Sequence, residues 1–256
     1  MMNNPIEQVA QVLVAARRQH LPADAAPWAH TLNEPAQAFA VQEIVASATG
    51  MLEPGFARYW KTGATGRDGV APHAALPPAG VWRTGADARA WPFHRRLIEA
   101  EIALRLGRDV TPAEAASLAD EEANALIEAM TVSIEIVDFR WRQGAQAATL
   151  LKLADLQSHG ALVLGEWRAF EARDWGAQLC EVRIGSEPVH EFRGTHSVRD
   201  PALLVAPWLR HASRHGDTVP AGTVVTTGTW CGMLAAAAGD LVTVRFEGVG
   251  EASVQL

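Results

Sequence analysis

Apolar and polar residues alternate with a period of two from Leu97 to Leu106. Ile98, Ala100, Ile102, Leu104 and Leu106 fall on one side, and Glu99, Glu101, Ala103 and Arg105 on the other. This is the pattern of a strand, and the stretch Leu97–Asp109 is the one the rest of the chain organises around. It puts two carboxylates on one face, roughly 6–7 Å apart along the strand, with the small Ala103 beside them. Two glutamates that close repel unless a cation, a proton or an arginine lies between them, or unless the face is open to water. Residues 131–137 repeat the alternation, with Val132, Ile134 and Ile136 on one side and Ser133, Glu135 and Val137 on the other. Glu135 stands among small or apolar neighbours, where an unpartnered carboxylate is costly to bury. That tips the reading from a solvated strand face towards a shared cation.

Helical spacing dominates the N-terminal part. Ile6, Val9, Ala10, Leu13 and Ala16 recur every three or four residues up to Arg17 and Arg18, cations that suit a helix C-terminus. A second helix is predicted over residues 34–48, with Phe39, Val41, Ile44 and Val45 as its apolar side and Gly50 closing it. Thr111-Pro112-Ala113-Glu114 reads as a capping box opening a helix that runs to about Met130. Asp200-Pro201 caps another that ends at Gly216. Residues 179–184 and 189–192 read as a hairpin around Gly185-Ser186, and residues 242–246 pair with a last strand ending at Leu256. Residues 223–227 form a strand that ends in Gly228-Thr229. Residues 64–90, rich in alanine, glycine and proline, form an irregular segment that lies over a site or joins two parts.

Composition narrows the class. The chain has 256 residues, 48% of them hydrophobic, which is ample for a core. A net charge of −7 without a long basic run argues against nucleic acid as a partner. No basic leader and no apolar run of about 18 residues is present, so neither a signal peptide nor a membrane span is expected. Two isolated cysteines, Cys180 and Cys231, suit a reducing cytoplasm.

Three residue groups carry possible chemistry besides the glutamates. Lys61 follows Tyr59-Trp60 and precedes Thr62-Gly63, a strand end running into a glycine-rich loop, where sites tend to lie. Asp138 and Arg140 read as a local ion pair holding the end of the Glu135 strand. His211 and His215, one helical turn apart, are expected on a surface because no third ligand accompanies them.

Together these segments resemble the 2-keto-4-pentenoate hydratase and 4-oxalocrotonate decarboxylase group of the fumarylacetoacetate hydrolase superfamily. The resemblance is carried by Ala38-Phe39-Ala40-Val41-Gln42, Lys61-Thr62-Gly63, Ile98-Glu99-Ala100-Glu101-Ile102-Ala103 with Gly107-Arg108-Asp109, and Ile134-Glu135-Ile136-Val137-Asp138-Phe139-Arg140. Ala154-Asp155 with Ser158 and Gly160, Val163-Leu164-Gly165 and the closing Ala221-Gly222, Thr227-Gly228 and Gly239-Asp240 extend it. It implies an α+β fold: a mixed β-roll core with flanking helices, divided into a helical part over residues 1–60 and a catalytic domain over residues 61–256. It also implies a divalent metal, Mg²⁺ or Mn²⁺, held by Glu99, Glu101 and Glu135; an all-carboxylate set independently suits such a hard cation.

Lys61 matches the family's lysine, with a share in substrate contact or proton transfer. Ser158, Thr227 and Gly228 match its substrate-binding loops. Two positions depart from the pattern. His73 stands where the hydratases carry an aspartate, and could do the proton work; Leu156 replaces the asparagine of Ala-Asp-Asn. The implied activity is that of a hydro-lyase adding water to a 2-hydroxydienoate or 2-oxo-alkenoate. The alternatives are decarboxylation or acylpyruvate-type carbon–carbon hydrolysis on the same enolate, and a non-catalytic paralogue serving as a binding or assembly subunit. A small 2-oxo acid is the expected substrate, and a homo-oligomer the expected assembly.

Overall fold

The computed structural model describes residues 4–66 and 71–256. The chain opens with α1 (Pro5–Gln19) and α2 (Pro35–Thr49). The Asn4 side chain accepts the Ile6 N–H at 3.0 Å to start α1, and Gly50, at φ 63°, ends α2 in the left-handed conformation that glycine adopts at least cost. Fourteen strands follow among the described residues. The first are β1 (Tyr59–Thr62), β2 (His73–Ala75), β3 (Val81–Arg83), β4 (Ala86–Asp87) and the long β5 (Leu97–Leu106). After a short helix α3 (Pro112–Ser117) come β6 (Ile127–Val137), α4 (Thr149–Ala154), β7 (His159–Leu164), β8 (Arg168–Ala169), β9 (Leu179–Ile184) and β10 (His190–Arg193). Helix α5 (Val205–Ala212) precedes β11 (Val224–Thr226), β12 (Leu234–Ala235), β13 (Leu241–Phe246) and β14 (Gly250–Gln255).

Nine strands form a mixed sheet in the order β2-β1-β11-β5-β6-β7-β3, with β12 on β5 and β8 on β6; five form a second, β10-β9-β13-β14-β4. Period-two alternation divides the work of β5 and β6. Ile98, Ile102, Met130 and Ile134 share one buried core with Val182, Val242, Val244 and Val254 of the second sheet. The opposite face of β5 and β6 carries Glu99, Glu101, Ser133 and Glu135. The N-terminal helices have a separate core, in which Val9, Leu13, Val41 and Val45 meet Trp141, Leu151 and Leu153. Buried Asp155 pins this layer to the end of β6: its carboxylate accepts from Arg17 Nη2 at 2.8 Å, Arg140 Nε at 2.8 Å and the Arg140 backbone N–H at 3.0 Å.

Four sequence expectations change. The helix expected to run to about Met130 stops at Ser117, and β6 begins at Ile127. Ile127 and Ala129 are buried against β5, while Glu128 meets Arg105 across the ladder at 2.5 Å; pairing with a long neighbour overrides local helix propensity. The helix expected from Pro201 to Gly216 is a 3₁₀ turn followed by α5, which ends at Ala212. Within the irregular segment expected over residues 64–90, residues 67–70 lie outside the described residues, and the remainder contributes β2, β3 and β4. The Asp138–Arg140 pair is loose, at 3.7 Å. Arg140 turns to Asp155 instead, and Asp138 accepts the backbone N–H groups of Arg95, Phe139 and His94 at 2.7–3.2 Å.

Candidate metal centre

The register of the large sheet assembles the centre. Glu99 on β5 lies directly opposite Glu135 on β6, and Glu101 opposite Ser133. Like charges placed directly across a ladder repel, yet one oxygen from each of Glu99, Glu101 and Glu135 lies within 4.8 Å of the others. On the other side of β5, β11 pairs Thr226 with Ala103, and β1 in turn pairs Lys61 with Thr226. Lys61 therefore points to the same face as the glutamates. Its Nζ donates to Glu135 Oε1, and to the Gln157 carbonyl at 3.2 Å.

Each carboxylate is held differently. Glu101 accepts from the Thr226 hydroxyl, and the nearby Gly228 backbone N–H favours its charged form. Thr226 spends its proton on Glu101 and is itself the acceptor for Ser133 Oγ, 2.9 Å away. Glu135 Oε1 accepts from Lys61 and from His159 Nδ1 at 3.0 Å, whereas its buried Oε2 has no partner among the described residues. Glu99 is partly exposed at the cavity wall.

The electrostatics follow from crowding in a poor solvent for charge. Burial, followed by the neighbouring glutamates, pushes Glu99 up to about 8 and Glu101 up to about 7. Burial also opposes the charge on Glu135, but Lys61 and His159 outweigh it and hold this carboxylate below its ordinary range. Burial opposes the Lys61 ammonium too; the three glutamates overcome it and hold its pKa above the ordinary lysine value. One ammonium thus faces three carboxylates. The orphaned Glu135 oxygen, the convergence of the three groups and their all-oxygen chemistry fit a hard divalent cation.

A cavity of about 750 Å³ opens over this cluster, lined by Lys61, Glu99, Glu101, Gln157, Ser158 and Gly228 among others. Its wall includes a strained turn: Leu156, Gln157 and Ser158 have φ of 51°, 54° and 61° in succession. Each such non-glycine residue costs roughly 1–2 kcal/mol. The turn is what aims the Gln157 carbonyl at Lys61. Gly228, at φ 99°, turns the chain after β11 and brings its N–H near Glu101.

The sequence-predicted site residues divide cleanly. Lys61, Glu99, Glu101 and Glu135 come together, and Ser158 and Gly228 line the cavity. Thr227 does not line it. Its hydroxyl donates to the Ile102 carbonyl at 2.7 Å, and its own carbonyl accepts from His196 Nε2 at 2.8 Å. The neighbour Thr226 faces the cluster instead, because successive strand residues point to opposite sides.

His73 is also displaced from its expected place. It pairs with Thr62, the residue after Lys61, and so points away from the carboxylates. Its Nδ1 shares a 2.9 Å hydrogen bond with the Thr62 hydroxyl, and its ring stacks 4.8 Å from His211. Burial, then Arg214 and Arg210, pushes its pKa down to about 3. His211 in turn packs 4.2 Å from Phe39, which corrects the expected surface position, while His215 lies beyond α5 and meets Glu43 at 2.9 Å. Three contributors escaped the sequence reading: Thr226, Gln157 and His159. Strand parity counted back from Gly228 would have selected Thr226.

Among known proteins, the model of the fumarylacetoacetate (FAA) hydrolase C-terminal family matches residues 75–256. The 2-keto-4-pentenoate hydratase 2 of Dechloromonas aromatica (strain RCB) is 36% identical over 162 residues, 61% of this chain and 58% of that protein. The 2-hydroxyhexa-2,4-dienoate hydratase of Comamonas testosteroni is 30% identical over 162 residues, with the same shares. The chain thus spans 58% of the length of these curated relatives. Among solved structures, 4-oxalocrotonate decarboxylase from Pseudomonas putida G7, complexed with magnesium and adipate, is similar in fold. Its TM-score is 0.82 at 19% identity, covering 100% of this chain and 98% of that chain.

Proposed function

The chain belongs to the fumarylacetoacetate hydrolase family, and on that footing we propose that it is a metal-dependent hydro-lyase adding water to a 2-hydroxydienoate or 2-oxo-alkenoate. The observation that carries this reading is the convergence of Glu99, Glu101 and Glu135 beneath a cavity that also receives Lys61. The likeness in sequence to hydratases of such acids supports it. Glu99, Glu101 and Glu135 are the residues to hold Mg²⁺ or Mn²⁺. Such a cation supplies Lewis acidity, drawing negative charge onto the oxygens of a 2-oxo acid.

The chain's own residues supply the rest. Lys61, protonated at neutral pH, presents a positive charge to an incoming carboxylate and holds the proton that the reaction moves. The Gln157 carbonyl orients its ammonium, and Glu135 balances its charge. Ser158 and the Gly228 backbone border the space for the substrate. Thr226 fixes Glu101, so that its carboxylate need not reorganise when ligands arrive. His73 takes no part, since its ring lies on the far side of the β1–β2 ladder. The assembly we infer is a homo-oligomer in the cytoplasm; among the described residues no helix is long and apolar enough to cross a membrane.

One observation favours a second reading, decarboxylation of a 2-oxo acid. Among the described residues, no histidine or aspartate lines the cavity to activate a water molecule. Loss of CO₂ needs no such base. The test is to incubate the Mg²⁺-loaded protein with 2-hydroxypenta-2,4-dienoate and with an unsaturated 2-oxo diacid, following ultraviolet absorbance and released CO₂. Loss of dienoate absorbance without CO₂ supports the hydratase. Release of CO₂ from the diacid supports the second reading, and silence in both assays rejects each.

A further inference from the structure

His159 is the first residue of β7 and emerges directly from the left-handed turn at residues 156–158. Its side chain is buried, and it meets a carboxylate that ion-pairs with Lys61. An ionised carboxylate can only accept, so His159 Nδ1 carries the hydrogen in its 3.0 Å bond to Glu135 Oε1. In the neutral ring Nε2 is then a bare acceptor, and it has no partner among the described residues. Among the described residues the imidazole therefore has one polar engagement, with Glu135.

The two donors on Glu135 Oε1 are not equivalent. Lys61 is a point charge on a flexible stem, able to follow the carboxylate wherever it turns. The His159 ring is planar and its backbone has no slack. At the next residue, Gly160, an added Cβ would lie 2.6 Å from the Ile136 carbonyl oxygen and 2.8 Å from Asp138 Cβ. The start of β7 is pressed against the end of β6, at the bulge where the register shifts between Ile136 and Val137. A rigid donor on Oε1 leaves Oε2, buried and without a partner among the described residues, as the oxygen free to serve the cluster with Glu99 and Glu101.

We propose that His159 is a positioning residue for the metal centre: its Nδ1–H locks the Glu135 carboxylate so that Oε2 is presented to the cation. The inference rests on the metal-centre reading above and adds to it the residue that sets one ligand's orientation. Partners of this kind outside the coordination sphere typically hold 10–100-fold in metal affinity.

The experiment is a Mn²⁺ titration of the full chain, read as free Mn²⁺ by electron paramagnetic resonance, for wild type and the variants Glu101→Gln, His159→Ala, His159→Asn and His159→Gln. Asparagine can place an N–H near the position of Nδ1; glutamine reaches past it towards that of Nε2. Near-ultraviolet circular dichroism identifies the variants that keep their tertiary packing. His159→Ala is expected to weaken Mn²⁺ binding about 10–100-fold, with His159→Asn restoring most of it and His159→Gln little. Should His159→Ala fail to fold, the Asn and Gln variants decide the matter: tighter binding by Asn supports the proposal, and equal binding overturns it. Wild-type affinity in a folded His159→Ala also overturns it, while the metal-centre reading stands if Glu101→Gln has lost binding. No binding by wild type rejects the metal-centre reading itself, and this proposal with it.

Discussion

The two faces of the β1–β2 ladder treat their ionisable residues in opposite ways. Lys61 and His73 sit one register position apart, paired with Ala74 and Thr62 respectively. Lys61 meets three carboxylates, and its pKa is held up despite burial. His73 meets a hydroxyl and the ring of His211, with two arginines nearby, and its pKa falls to about 3. The same desolvation acts on both; what differs is which charges lie within reach. A one-residue step along a strand therefore separates a cation that can act from a neutral ring that packs.

The largest expected effects break that opposition at the charged face. Glu101→Gln, which keeps the shape and removes the charge, is expected to abolish Mg²⁺ binding in isothermal titration, together with turnover. Lys61→Met is expected to retain metal and lose about 10²–10⁴-fold in kcat; retained turnover would remove the lysine from the chemistry. On the packed face, His73→Leu is expected to leave kcat nearly unchanged while costing about 1–3 kcal/mol in denaturant unfolding, since it strands the Thr62 hydroxyl. A drop in kcat as large as that of Lys61→Met would restore His73 to the reaction.

The pH dependence of the metal-free protein sharpens the contrast. Glu99 and Glu101 bind protons more tightly when folded, so their contribution to stability is full below the ordinary 4.5 and is lost as pH rises through about 7 and 8. His73 and His159, both lowered by burial, act in the opposite sense, destabilising the fold as pH falls below the ordinary 6.5. Only above about pH 7, and up to about 8, are the histidines largely neutral in both states, and there the carboxylates dominate. Urea unfolding is expected to show stability falling across that window, and Mg²⁺ is expected to reverse the fall because metal displaces protons. The smallest effect concerns the strained turn. Gln157→Gly relieves the left-handed strain but adds chain entropy to the unfolded state, and should change stability by less than about 1 kcal/mol.

What the sequence made legible follows from periodicity. The alternation over Leu97–Leu106 and residues 131–137 located both central strands and the parity that puts Glu99, Glu101 and Glu135 on one face, and the glycines at positions 50 and 228 marked real turns. What stayed hidden depends on register. Whether Glu135 stands opposite Glu99 or slips by two residues is set by pairing across a long gap in sequence. The reading of Thr227 rather than Thr226, and of His73 as facing the site, each failed by a single strand position. His159 was visible only as part of a polar loop, because nothing local reveals that three left-handed residues turn the chain to deliver its ring to Glu135.

The most direct test of the central claim is an anomalous difference map from a crystal of the protein soaked in Mn²⁺. The account predicts one strong peak within coordination distance of oxygens from Glu99, Glu101 and Glu135, with Lys61 Nζ nearby but not bound. A map without density among the three carboxylates, or with Lys61 drawn into their midst in place of a metal, would contradict it.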